Sequence, residues 1–223
     1  MALPIYPNIP QDLQDYVEEG ILPLYNNFDT AHHPDHAESV VRESMALAQH
    51  YAVAPAMVYA TAAFHDLGLC EGREHHHEVS ARIIRHTPRL RKWFSAEEIE
   101  TMADAAEDHR ASSKHAPRTI YGRIVAEADR LIDAATVLRR TVQYGLSHYP
   151  ELSKEQHYER MVAHLHEKYA EGGYLKLWIP ESKNAEKLAE LRAIIKDGQR
   201  LRDYFERLYD ELKDLNAPAI SIP

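Results

Sequence analysis

One cysteine, Cys70, is all the thiol chemistry available in the 223 residues. No intramolecular disulfide can form, and a reducing, cytoplasmic location is the expectation. Long apolar runs are missing too. No stretch approaches the ~20 apolar residues of a membrane-spanning helix, and the opening Met-Ala-Leu-Pro-Ile-Tyr-Pro has neither the basic start nor the apolar core of a signal peptide, so no membrane partner is expected. Positive charge is in deficit. The 26 Lys and Arg against 35 Asp and Glu leave a formal charge of -9, which argues against a nucleic-acid duplex as partner, because affinity for a phosphate backbone comes from clustered cations. A small anionic ligand remains compatible. No segment sustains the apolar-polar alternation of a strand and no repeat recurs, so the fold is expected to be nearly all α, in a single domain spanning residues 1–223.

Histidine, by contrast, is abundant at 15 residues, which makes any one of them a weak signal. The informative stretch is Ala60-Thr-Ala-Ala-Phe-His-Asp-Leu-Gly68. An apolar run ends in an adjacent imidazole and carboxylate, and desolvating both is costly unless something pairs with them. A bound metal ion would satisfy the two together. Gly68 is placed to end the helix in a left-handed cap.

The segment before it, residues 9–27, has Leu13, Val17 and Ile21 on one helical face, with Pro23 expected to break it and a packing role only. A second helix starts near Pro34, with His36 one turn ahead of Val40 on the inward face. Pro55 opens a helix that is apolar nearly all round and therefore buried, and it delivers His65-Asp66. After a polar loop over residues 70–74, a helix from His75 to about His86 turns His76 inward with Ser80 and Ala81, the adjacent His77 being the alternative. Ser95-Ala-Glu-Glu98 is a capping box for a helix ending at His109. A polar loop, 110–116, leads to Pro117 and a helix from Arg118 whose stripe runs through Val125 and Ile132 to Ala135, with Asp129 beside it. Ser153-Lys-Glu-Gln156 caps a further helix closed by Gly172-Gly173. Ser182 is expected to cap one long amphipathic segment bent near Gly198, and 216–223 form a loose tail.

His36, His65-Asp66 and Asp129, each on or near the inward face of a different helix, suit a divalent transition metal or a site with magnesium or manganese. The three motifs, Asp-His36-Ala-Glu-Ser-Val, Phe-His65-Asp66-Leu-Gly and Glu-Ala-Asp129-Arg-Leu, resemble the HD superfamily of metal-dependent phosphohydrolases over about residues 29–141. The resemblance implies an HD-domain helical bundle, here with a C-terminal helical extension at about 152–215, and makes His36, His65, Asp66 and Asp129 metal ligands. His76 and His109 match the two additional histidines with which some branches hold a second ion. One or two divalent ions per chain are implied, among Fe, Mn, Mg, Co, Ni and Zn. The Gly-Tyr-Pro signature of the cyclic-di-nucleotide phosphodiesterase branch is absent.

The implied reaction is hydrolysis of a phosphate ester or anhydride on a nucleotide or another small phosphorylated metabolite. The metal would acidify and orient the attacking water, and Asp66 would accept its proton. Related phosphodiesterases place a catalytic histidine four residues ahead of the first ligand, the spacing of His32 to His36, so His32 is the candidate acid for the leaving oxygen. Lys114 and Arg118 are candidate phosphate contacts. A di-iron oxygenase with the same six ligands and a non-catalytic metal-binding regulatory module are the alternatives. The last long helix is also a candidate surface for a homodimer.

Overall fold

A computed structural model describes residues 3–28 and 33–215. Among them there are ten α-helices and no strand, so the all-α expectation holds, and no helix is long and apolar enough to cross a membrane. The chain divides into two compact units, one of residues 1–131 with 177–182, the other of 132–176 with 183–223.

The first unit holds helices α1 (Gln11–Tyr16), α2 (Pro34–Ala48), α3 (Pro55–Phe64), α4 (His76–His86), α5 (Ala96–Asp108) and α6 (Ile120–Asp129). Its centre is α3, whose residues from Met57 to Phe64 are all buried. That is the environment an all-round apolar helix requires. Helices α2, α5 and α6 pack against it, and α4 packs on α5. Ala60, Ala62 and Ala63 of α3 and Ala103 and Ala106 of α5 are fully buried. Their small side chains let the helices approach closely enough for residues at their ends to meet. Ser95 and Glu98 make both bonds of the capping box that starts α5, as their spacing implies.

Pro23 does not break the first segment. Helix α1 runs through a π-turn (Val17–Ile21) into a 3₁₀ turn (Leu22–Asn27) in which Pro23 occupies an early position whose missing N–H goes unneeded. Leu13, Val17 and Ile21 are buried as their spacing implies. Residues 67–71 form another 3₁₀ turn where a cap and loop were expected. Gly68 is not left-handed, the positive-φ glycines among the described residues being Gly72 and Gly172. It is needed for space instead. A Cβ there would lie 1.9 Å from His76 O and 2.6 Å from Ser80 N, and its own N–H donates to Ser80 Oγ at 2.9 Å.

The helix expected from Arg118 to Ala135 is two helices. Thr119 caps α6 by accepting from Gly122 N, and α6 ends at Asp129 with Leu131 in the left-handed region, φ 33°. Asp133 then opens α7 by accepting from Thr136 N at 2.8 Å.

The second unit consists of α7 (Ala134–His148), α8 (Lys154–Lys168), α9 (Asn184–Lys196) and α10 (Gly198–Leu215), each in contact with the other three. Leu138, Met161, Leu165, Leu191, Leu201 and Phe205 are among its most buried side chains, and the Ser153–Gln156 capping box is formed. The expected single helix from Ser182 is also two. Asp197 separates them, with ψ 91° at the end of α9 and its carboxylate accepting from Arg200 N at the start of α10. Ser182 does not cap α9, because its hydroxyl donates to Glu127 Oε1. The tail at 216–223 lies outside the described residues.

Candidate metal centre

Six of the residues singled out from the sequence meet in the first unit. Helix α2 supplies His36, the C-terminal end of α3 supplies His65 and Asp66, α4 supplies His76, the end of α5 supplies His109 and the last residue of α6 is Asp129. They form two donor sets, His36 with His65, Asp66 and Asp129, and Asp66 with His76 and His109. Within each set the ligand atoms all lie within 4.8 Å of one another. His32 and the flanking residues 29–31 lie outside the described residues.

Asp66 belongs to both sets through different oxygens. Its Oδ2 is 3.6 Å from His36 Nε2 and 3.3 Å from His65 Nε2. Its Oδ1 is 3.4 Å from His76 Nε2 and 3.3 Å from His109 Nε2. Asp129 Oδ1 completes the first set at 3.3 Å from His36 Nε2 and 3.7 Å from His65 Nε2. Asp66, His65 and His109 are at most 3% exposed, while Asp129 and His76 reach the surface in part.

Local backbone fixes the imidazoles. His65 Nδ1 lies 2.7 Å from Ala62 O, His76 Nδ1 2.8 Å from Arg73 O and His109 Nδ1 2.5 Å from Ala106 O. Each ring thus directs Nδ1 to the carbonyl three residues earlier and turns Nε2 toward the carboxylates, the arrangement that metal-ligating histidines usually show. His65 Nε2 is buried without a hydrogen-bond partner. A lone pair aimed at two carboxylates is repulsive unless a cation or a proton sits between them, so the donor chemistry fits a divalent ion.

The charges say the same. Burial would lower His65, but the Asp66 charge and the two carboxylates as hydrogen-bond partners outweigh it and push the imidazole up to about 10. Burial would raise Asp66, yet His65, His109 and His36 hold it well below the usual carboxylate range. Burial would likewise raise Asp129, and His36 and His65 hold it low. Burial and then His109 push His76 down to about 4, against the pull of Asp66.

The adjacent histidines part company here. His75 is largely exposed. His77 turns Nδ1 to within 3.5 Å of Arg110 Nη1 and Nε2 toward Glu78. Arg118 is held by Asp104, Glu107 and Asp108 at 2.8–3.1 Å, which neutralises the charge that a phosphate would seek. Lys114 is exposed in the loop between α5 and α6.

Three contributors were not anticipated. Tyr25, buried 41 residues before Asp66, donates its hydroxyl to Ala63 O at 2.9 Å and accepts from Asp66 N at 3.3 Å, so the first segment does more than pack. Burial and the Asp66 charge push its phenol well above the ordinary value, and it stays protonated. Glu127, fully buried two residues before Asp129, accepts from Trp178 N at 2.6 Å and Ile179 N at 3.3 Å, fastening segment 177–182 to α6. Arg130 donates to His109 O at 3.0 Å. Of the three, Glu127 and Arg130 lie inside a motif quoted from the sequence, on either side of Asp129, and Tyr25 lies in none.

Residues 35–133 match the family model described as the HD domain. No curated protein and no solved structure matches the chain. That stretch, an HD domain, contains all six clustered donors in an all-helical unit, and the HD superfamily that it resembles consists mostly of metal-dependent phosphohydrolases.

Proposed function

We propose that this chain is a metal-dependent phosphohydrolase with a two-ion centre, acting on a nucleotide or another small phosphorylated metabolite. The observation that supports this reading best is the division of Asp66, one oxygen toward each donor set. A carboxylate so placed would serve two cations, and their joint charge would suit a substrate that carries concentrated negative charge. His36, His65 and Asp129 would hold one ion, His76 and His109 the other, and Asp66 both. When bound, the ions would supply Lewis acidity toward the phosphoryl oxygens and acidify the attacking water.

The chain's own residues do the rest. The three Nδ1 bonds to backbone carbonyls keep the imidazoles in one tautomer and one orientation, so little reorganisation is needed when the ligand set fills. The depressed carboxyl pKa of Asp66 favours its role as ligand over that of proton acceptor. His32 is the proposed donor of a proton to the leaving oxygen. Arg110, next to His109 and beside His77, and Lys114 are the proposed contacts for further phosphates, since Arg118 is already engaged by carboxylates.

The test combines elemental analysis with phosphate release from nucleoside mono-, di- and triphosphates and simple phosphate esters. Two ions per chain and turnover on at least one of these, both abolished in Asp66→Ala, are the expected results. Two irons with a mixed-valent spectrum, oxygen consumption and no phosphate release would instead establish the oxygenase alternative.

A further inference from the structure

We infer that Arg130 is a positioning residue that couples the two donor sets, holding Asp129 to a single ligating oxygen and seating the end of α5 that carries His109. The inference rests on the two-ion reading above. The Arg130 side chain is 3% exposed, with Nη1 3.7 Å from Asp129 Oδ2 and 3.0 Å from the carbonyl oxygen of His109.

Each contact has a consequence at the centre. Asp129 Oδ1 faces His36 and His65, so a cation on Oδ2 gives the two oxygens different tasks and keeps the carboxylate from swinging to present both. His109 directly follows the last residue of α5, where helix carbonyls have no in-helix partner. A charged donor on that carbonyl fixes the turn from which the ring reaches Asp66 Oδ1 and His76 Nε2, 3.3 Å from each. The one nitrogen that makes both contacts, Nη1, is fixed in the plane of a guanidinium, whereas an ammonium on a flexible stem is not held in this way. The same cation offsets part of the negative charge that two carboxylates bring into a largely buried site.

Arg130 therefore acts on the four-donor set through Asp129 and on the three-donor set through His109. The smaller set has fewer ligands to compensate for a misplaced one, so it loses more when Arg130 is removed. Outer contacts of this kind are typically worth about 10–100-fold in metal affinity.

The probe is Mn(II) alone, added to metal-stripped full-length protein, with binding followed by competition titration and by electron paramagnetic resonance. The unaltered chain should take up two ions and show the exchange-coupled signal of a close pair. Arg130→Met should keep the first ion with a modest loss, bind the second about 10–100-fold more weakly and lose the coupled signal. Arg130→Lys should restore first-ion affinity without restoring the coupled signal. Far-UV circular dichroism checks folding, and should the methionine variant be unfolded, the lysine variant decides alone.

A merely structural role would lower the melting temperature of the stripped protein but leave the ratio of the two affinities unchanged. That result, or a variant that keeps wild-type affinities and coupling, overturns the inference while the two-ion reading stands. Uptake of one ion by the unaltered chain overturns both.

Discussion

His65 and His76 face opposite oxygens of one carboxylate, Asp66, yet their surroundings move their protonation in opposite directions, His65 up to about 10 and His76 down to about 4. In the metal-stripped chain each shift becomes a dependence of stability on pH. His65 binds a proton more tightly when folded, so its contribution is complete below about 6.5 and is lost as pH rises toward about 10. His76 binds one less tightly when folded, so its contribution is complete above about 6.5 and is lost as pH falls toward about 4. Urea midpoints of the stripped protein should therefore decline on both sides of neutrality, and His65→Gln should flatten the alkaline side. An alkaline decline that survives this substitution would assign it to another group. The six clustered donors were legible because each stands in a helix whose apolar spacing shows its inward face. Tyr25 and Arg130 were not, because their partners lie 41 and 21 residues away and no local period announces such contacts.

Gly68 shows how an element is placed by what a residue lacks. Helix α4 crosses the 3₁₀ turn so closely that His76 O and Ser80 N occupy the space of a Cβ, and backbone cannot yield as the tip of a flexible side chain can. Gly68→Ala should push α4 away and take His76 from Asp66. Loss of the second ion with retention of the first, measured by elemental analysis, is the expected result; two ions in a folded alanine variant would show that α4 can shift without cost to the site. The sequence suggested a glycine at this point for a different reason, the left-handed cap, because a helix followed by glycine usually means that. Close approach of two backbones has no such local signature. Helix boundaries failed for a related reason. The apolar stripe runs on from α6 through Ile132, and from α9 into α10, so periodicity alone joins what Leu131 and Asp197 separate. Where a full capping box marks a start, as at Ser95 and Ser153, the reading and the structure agree, whereas Ser182, with Ala185 three residues on in place of Glu or Gln, does not cap α9.

At the scale of the whole chain, the two compact units have different chemistry. The first carries both donor sets, and no other such group occurs among the described residues. The second has its own buried core, with Leu138, Met161, Leu191 and Phe205 at its centre, and its ion pairs, such as Arg202 with Glu155 and Lys154 with Asp210, are exposed and each worth little. A ligand that binds only the folded form of one unit stabilises that unit by mass action, by about 2.7 kcal/mol at one hundred times its dissociation constant. Calorimetry of the stripped protein should therefore resolve two transitions, of which added Mn(II) raises one by roughly 5–10 °C and leaves the other in place. Asp66→Ala should abolish the metal-dependent rise while preserving the second transition. A single transition that moves as a whole would mean that the units unfold together, and a rise that persists in Asp66→Ala would place the binding of the ion outside the HD domain.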